Sequence, residues 1–118
     1  MPRSRLPNRR RSLTSTILWP VDSGALVDLS VGFDADILPR EVFCRSRKTD
    51  SDVDYTADDA AVLVSLCLQS GYSLGEIAHS LGRTSDGKPA SIIGALVEAA
   101  IGIDRELRVR LVANEARS

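Results

Sequence analysis

Residues 25–33 read Ala-Leu-Val-Asp-Leu-Ser-Val-Gly-Phe, and this stretch decides the fold class. Ala25, Val27, Leu29, Val31 and Phe33 fall on one side of an extended chain, and Leu26, Asp28, Ser30 and Gly32 on the other. One apolar and one mostly polar side is the pattern of a half-buried strand. Just before it, Leu13 to Trp19 (LTSTILW) alternates in part and is rich in β-branched residues, until Pro20 stops it. Asp22-Ser23-Gly24 supplies a hairpin turn between the two. Just after it, DADILP reads as a turn. Arg40 to Arg47 (REVFCRSR) then reads as a third strand, with Val42 and Cys44 on one face and Glu41 and Phe43 on the other. Three strands with short links predict an antiparallel meander.

The hydrophobic period changes near residue 56. Thr56 reads as a helix N-cap, with Asp58 and Asp59 in the first turn. Ala60 to Gln69 (AAVLVSLCLQ) is nearly all apolar, which predicts a deeply buried helix that stops at Gly71. Ser73 and Glu76 form an S-x-x-E capping box, and Tyr72 and Ile77 stand at the positions of a hydrophobic staple. Leu74, Ile77, Ala78 and Leu81 give a second helix its stripe, and Gly82 ends it. Beyond the loop RTSDGK, Pro89 suits the first turn of a third helix. Ile92, Ile93, Leu96, Val97, Ala100, Ile101, Ile103, Leu107 and Leu111 continue a helical pattern that Gly94 and Gly102 weaken. The expected fold class is α+β: an N-terminal antiparallel three-stranded meander packed against about three C-terminal helices. A basic arm is expected over residues 1–12, a single domain over 13–113 and a frayed tail over 114–118.

The chain has 118 residues, enough for one domain, and its 43% apolar and 26% charged content is ordinary for a globular protein. Aromatics make up only 4%, so the core must be built from Leu, Val, Ile and Ala. A net charge of −1 hides an asymmetry. Arg3, Arg5, Arg9, Arg10 and Arg11 open the chain, and Asp34, Asp36, Asp50, Asp52, Asp54, Asp58 and Asp59 crowd its middle. Such an arm suits an anionic partner, nucleic acid included, or is simply a solvated tail. The two cysteines, Cys44 and Cys67, make no CxxC pair and no zinc spacing, which suits a reducing compartment. No apolar run is long enough to span a membrane, and no signal peptide is recognisable. The expectation is a cytoplasmic protein without a membrane partner.

Candidate chemistry is sparse. His79 is the only histidine and has no nucleophile in motif context. Cys67 sits in the apolar helix as packing. Cys44 lies beside Arg45 and Arg47, charges that favour a thiolate. DSDVD (50–54) opens like a calcium loop, but Tyr55 stands where that loop needs glycine. No phosphate-cradling or dinucleotide motif is present. The sequence therefore predicts no complete catalytic site, no cofactor and no metal. GYSLGEIAHSLGRT is similar to the first helix and turn of a helix-turn-helix unit. The helix that follows, ASIIGALVEAAIGI, is too apolar to read a DNA groove.

Taken in order, several segments resemble one family. Arg5-Leu6-Pro7-Asn8-Arg9-Arg10-Arg11 before a Thr-containing strand resembles the entry to the C-terminal TSCPD-type domain of cobalamin-dependent (class II) ribonucleotide reductases. Glu41-Val42-Phe43 with Lys48 soon after is similar to that domain's Gly-Glu-Ile/Val-Phe strand and lysine, with Arg40 in the place of the glycine. Val64 to Gly71 (VSLCLQSG) resembles its ISLALRYG or VSLGLQYG helix end, and Ser73 to Leu81 its next short helix. The naming signature, Thr-Ser-Cys-Pro-Asp, is degenerate here. Pro89, Ile92 and Ala95-Leu96 fit it, while Lys88 replaces the cysteine and Ala90 the aspartate.

The resemblance spans roughly residues 5–100. It implies an α+β module attached to or derived from a reductase, whose radical cysteine, redox cysteine pair and cobalamin site belong to a large catalytic barrel outside these residues. It therefore implies a stand-alone, non-catalytic accessory or regulatory domain whose partner is a reductase subunit or regulatory protein. The surface expected to meet that partner is Glu41, Phe43, Arg45 and Lys48. Self-association stays open. Two further readings remain: a small DNA-binding regulator using residues 72–100 with the arm, or a nucleotide-sensing domain. In either, Arg5, Arg9, Arg10 and Arg11 are the phosphate-binding candidates.

Overall fold

The computed structural model describes residues 12–19, 25–46 and 52–116. Three strands, β1 (Ser12–Trp19), β2 (Ala25–Phe33) and β3 (Pro39–Ser46), precede three helices, α1 (Asp52–Gln69), α2 (Leu74–Ser80) and α3 (Ile92–Ala116). The strands form one antiparallel sheet in the order β1-β2-β3, as the alternation of ALVDLSVGF and its neighbours predicts. Leu13 pairs with Val31 and Ile17 with Val27 across the first ladder, and Val31 pairs with Val42 and Leu29 with Cys44 across the second. This register gathers Val27, Leu29, Val31, Phe33 and Val42 on one face, where all are buried. Thr14, Thr16, Asp28 and Ser30 fall on the other, with Thr14 Oγ1 bonded to Ser30 Oγ at 2.9 Å and Thr16 Oγ1 donating to Asp28 at 2.8 Å. The hairpin turn Asp22-Ser23-Gly24 lies outside the described residues.

Helix α1 starts one turn earlier than Thr56, the expected cap, so Thr56 is an interior helical residue. Asp52-Val53-Asp54, read above as part of a loop, suits a helix start because acidic residues favour the N-terminal end of the helix dipole. Residues 52–54 of the calcium-like segment are therefore helical. Ala57, Ala60, Ala61, Val64 and Leu68 of α1 are buried, and the small alanines let it lie close to its neighbours. The expectation of a deeply buried helix fails on the opposite side, where Val62, Leu63 and Leu66 are exposed. Gly71 closes α1 at φ 103. The Tyr72 amide donates to Cys67 O and the Gly71 amide to Leu68 O, both at 3.1 Å, which is a Schellman closure.

The capping box of α2 is present as read. Ser73 Oγ accepts from the Glu76 amide at 3.0 Å, and Glu76 Oε1 accepts from the Ser73 amide at 3.1 Å. Pro89 does not open α3. It pairs with Arg83 in an isolated antiparallel bridge, and Ser91 caps the helix through a 3.4 Å bond from the Gly94 amide. Gly94 and Gly102 do not interrupt α3, which runs through Ala116, past the expected boundary at residue 113. Its buried face (Ile92, Leu96, Val97, Ala100, Ile103, Leu107) fills the core, so the helix after α2 is a core element. The turn at 83–89 also parts α2 from α3.

Candidate functional site

Two of the segments that carry the resemblance, Glu41–Phe43 and Val64–Gly71, meet in space. The outer edge of β3 presents N–H and C=O groups that no fourth strand takes up among the described residues. Ser65 takes those of Val42: its hydroxyl accepts from the Val42 amide at 2.9 Å and donates to Val42 O at 3.1 Å. One turn later, Gln69 Nε2 donates to Arg40 O at 3.1 Å. The polar pair Ser65 and Gln69, spaced i,i+4 in an otherwise apolar run, thus seals a strand edge. Arg40, where the family pattern has glycine, donates from Nη1 to Leu68 O and from Nε to Asp34, each at 2.8 Å. Asp34 Oδ1 also accepts from the Asp36 and Leu38 amides at 2.9 and 3.0 Å. Burial alone would raise the Asp34 carboxyl. The Arg40 guanidinium and the two amides outweigh it and hold Asp34 below its ordinary value of 3.8.

Beside this seam runs a groove of about 320 Å³, lined by Glu41, Phe43 and Cys44 of β3 and Asp58, Val62 and Leu66 of α1, among others. Phe43 is 52% exposed, Val62 57% and Leu66 39%. Glu41 and Asp58 are the charged residues of its lining, and both are acidic. Arg45, also expected on the partner surface, is exposed further along β3. Of the residues expected on the partner surface, Glu41 and Phe43 line this groove. Sequence reading missed the α1 half of the groove because an all-apolar run shows no preferred face. The neighbouring arginines do not favour a Cys44 thiolate: burial first, and the Asp58 charge second, push its thiol up to about 12. Arg45 does not offset the loss of solvent. Cys44 is partly buried and packs against the core.

Lys88, Pro89 and Ala90 occupy the far side of the 83–90 turn and line neither this groove nor the second cavity described below. The Thr84 amide donates to Lys88 O at 2.8 Å and the Ala90 amide to Gly82 O at 3.1 Å, so the degenerate signature shapes a tight turn. Lys88 is exposed and faces Asp86 at 3.8 Å. His79 is an exposed residue in the last turn of α2. Arg5, Arg9, Arg10, Arg11 and Lys48 lie outside the described residues. Among the described residues, no group of three or more His, Cys, Asp or Glu side chains converges to hold a metal. No described helix is long and apolar enough to cross a membrane.

A meander sheet, one edge sealed by a following helix, with an apolar groove beside that seal, defines a small α+β module. A model of the TSCPD domain family matches residues 3–101, and the chain belongs to that family, which is associated with cobalamin-dependent ribonucleotide reductases. No curated protein and no solved structure matches the chain.

Proposed function

We propose that this TSCPD domain is a non-catalytic accessory module that binds a ribonucleotide reductase through the groove between β3 and α1. The observation that carries the reading is the exposed apolar set Phe43, Val62 and Leu66 around a groove whose charges are Glu41 and Asp58. Exposed apolar side chains clustered beside a concave surface mark interaction sites. The Asp58 carboxylate beside this apolar set suits a partner segment that carries a basic residue. Family membership supports the choice of a reductase, since TSCPD domains are associated with that enzyme.

The test is direct binding of the full chain to the catalytic barrel of a cobalamin-dependent reductase from the same host, by calorimetry. Saturable binding is expected, with Phe43→Asp and Leu66→Asp each weakening it about tenfold or more, the cost of losing a buried anchor. Both side chains are exposed, so both variants keep the fold. No binding by the wild-type chain overturns the reading, as does binding that neither variant changes.

A further inference from the structure

A second cavity, of about 420 Å³, opens where the β2–β3 turn, the α1–α2 junction and the middle of α3 come together. That volume is within the usual range for small-molecule sites, roughly 300–1,000 Å³. Its floor is apolar (Leu38, Leu68, Leu74, Ile101), and Tyr72, 57% exposed, stands at its wall. Three arginines, Arg40, Arg105 and Arg108, line it against one acid, Asp104. Two of the three are already engaged, which fixes them in place. Arg40 holds Asp34 and Leu68 O, as above. Arg108 donates to Ile37 O at 2.9 Å and to Asp104 Oδ2 at 3.3 Å. Arg105 is exposed and makes no hydrogen bond or ion pair among the described residues, which leaves it to a ligand. Asp104 Oδ1 is shut off from solvent and pairs with Arg108 Nη2 at 3.2 Å.

Asp104 is thus spent on Arg108, and the cavity offers a ligand an exposed guanidinium, an aromatic face and apolar side chains. A ligand that uses all three carries a phosphate on a planar, largely apolar ring system. We propose that this cavity binds a nucleoside phosphate, with Arg105 on the phosphate and Tyr72 stacked on the base. Guanidinium–phosphate pairing and aromatic stacking are the standard means of holding such molecules. The site is separate from the β3–α1 groove and does not depend on the reductase reading.

Calorimetry of the full chain against adenosine diphosphate, adenosine, ribose 5-phosphate and inorganic phosphate tests the proposal. Saturable binding of one diphosphate per chain is expected, tighter than that of either the nucleoside or inorganic phosphate. Arg105→Glu and Tyr72→Ala, both at exposed positions, are each expected to weaken it about tenfold or more. Chemical-shift changes should map to residues 71–75 and 101–108. Equal affinity for inorganic phosphate and nucleotide would reduce the site to an anion patch and overturn the proposal. So would nucleotide binding that Arg105→Glu leaves intact but that Arg9→Ala and Arg10→Ala abolish, or no saturable binding at all.

Discussion

Ser65 satisfies two backbone groups of Val42 with one hydroxyl, at a partly buried position where water would have to replace both bonds. Ser65→Ala leaves an amide and a carbonyl without partners, and an unmade buried hydrogen bond costs about 1–3 kcal/mol. A loss in that range is expected from urea unfolding. A change below about 0.5 kcal/mol, the scale of neutral surface substitutions, would show that water enters the seam freely. Ile37 illustrates a different constraint. It sits at φ 61, a conformation that a β-branched residue adopts only when its surroundings impose it. The Ile37 amide donates to Asp34 O at 3.0 Å and Arg108 holds its carbonyl, so the turn is fixed from both sides. Neither Ile37 nor Ser65 stands out in the sequence, because each matters through a partner distant along the chain or through a backbone angle. The capping box at Ser73 and Glu76 was legible because its partners are three residues apart.

Helix α3 offers a paired experiment on glycine. A Cβ at Gly102 would meet nothing within 4 Å, whereas one at Gly94 would stand 3.1 Å from Pro89 Cβ. Pro89 cannot easily give way, because its ring is rigid and its backbone is bridged to Arg83. Gly102→Ala is therefore expected to stabilise the protein by about 0.5–1 kcal/mol, the propensity difference within a helix. Gly94→Ala is expected to melt below the wild type, since crowding outweighs the same gain. Thermal unfolding of the two variants reads both signs. Element boundaries also show where sequence reading succeeds. Strand β2 was legible to the residue because its alternation is strict. The starts of α1 and α3 were misplaced because residues 50–56 and Pro89 each suit two local structures. The outer face of α1 was illegible because apolar residues cover that helix all round, and only the packing partner decides which of them are buried. Half of the candidate groove was hidden for that reason.

At the scale of the whole molecule, the Asp34–Arg40 pair joins the β2–β3 turn, strand β3 and the end of α1. Its contribution to stability has a definite pH dependence. Asp34 titrates lower in the folded than in the unfolded chain, so its contribution is fully present above the ordinary value of 3.8 and is lost as pH falls through the lowered folded value. Asp34→Asn is expected to flatten the stability curve below that value, relative to the wild type. Urea midpoints measured from neutral pH down to about pH 2 check this, and parallel acid limbs for the two proteins would count against it.

The sealing of β3 by Ser65 and Gln69 has a geometric consequence for assembly. A sheet with two open edges can add copies of itself without end, as fibres do. Here α1 closes one edge, and among the described residues nothing pairs with the outer edge of β1. A molecule with one open edge can meet one like molecule, edge to edge, and then has none left. Edge-to-edge pairing through β1 would thus stop at a closed twofold pair, so the helix that shapes the groove also makes the sheet self-limiting.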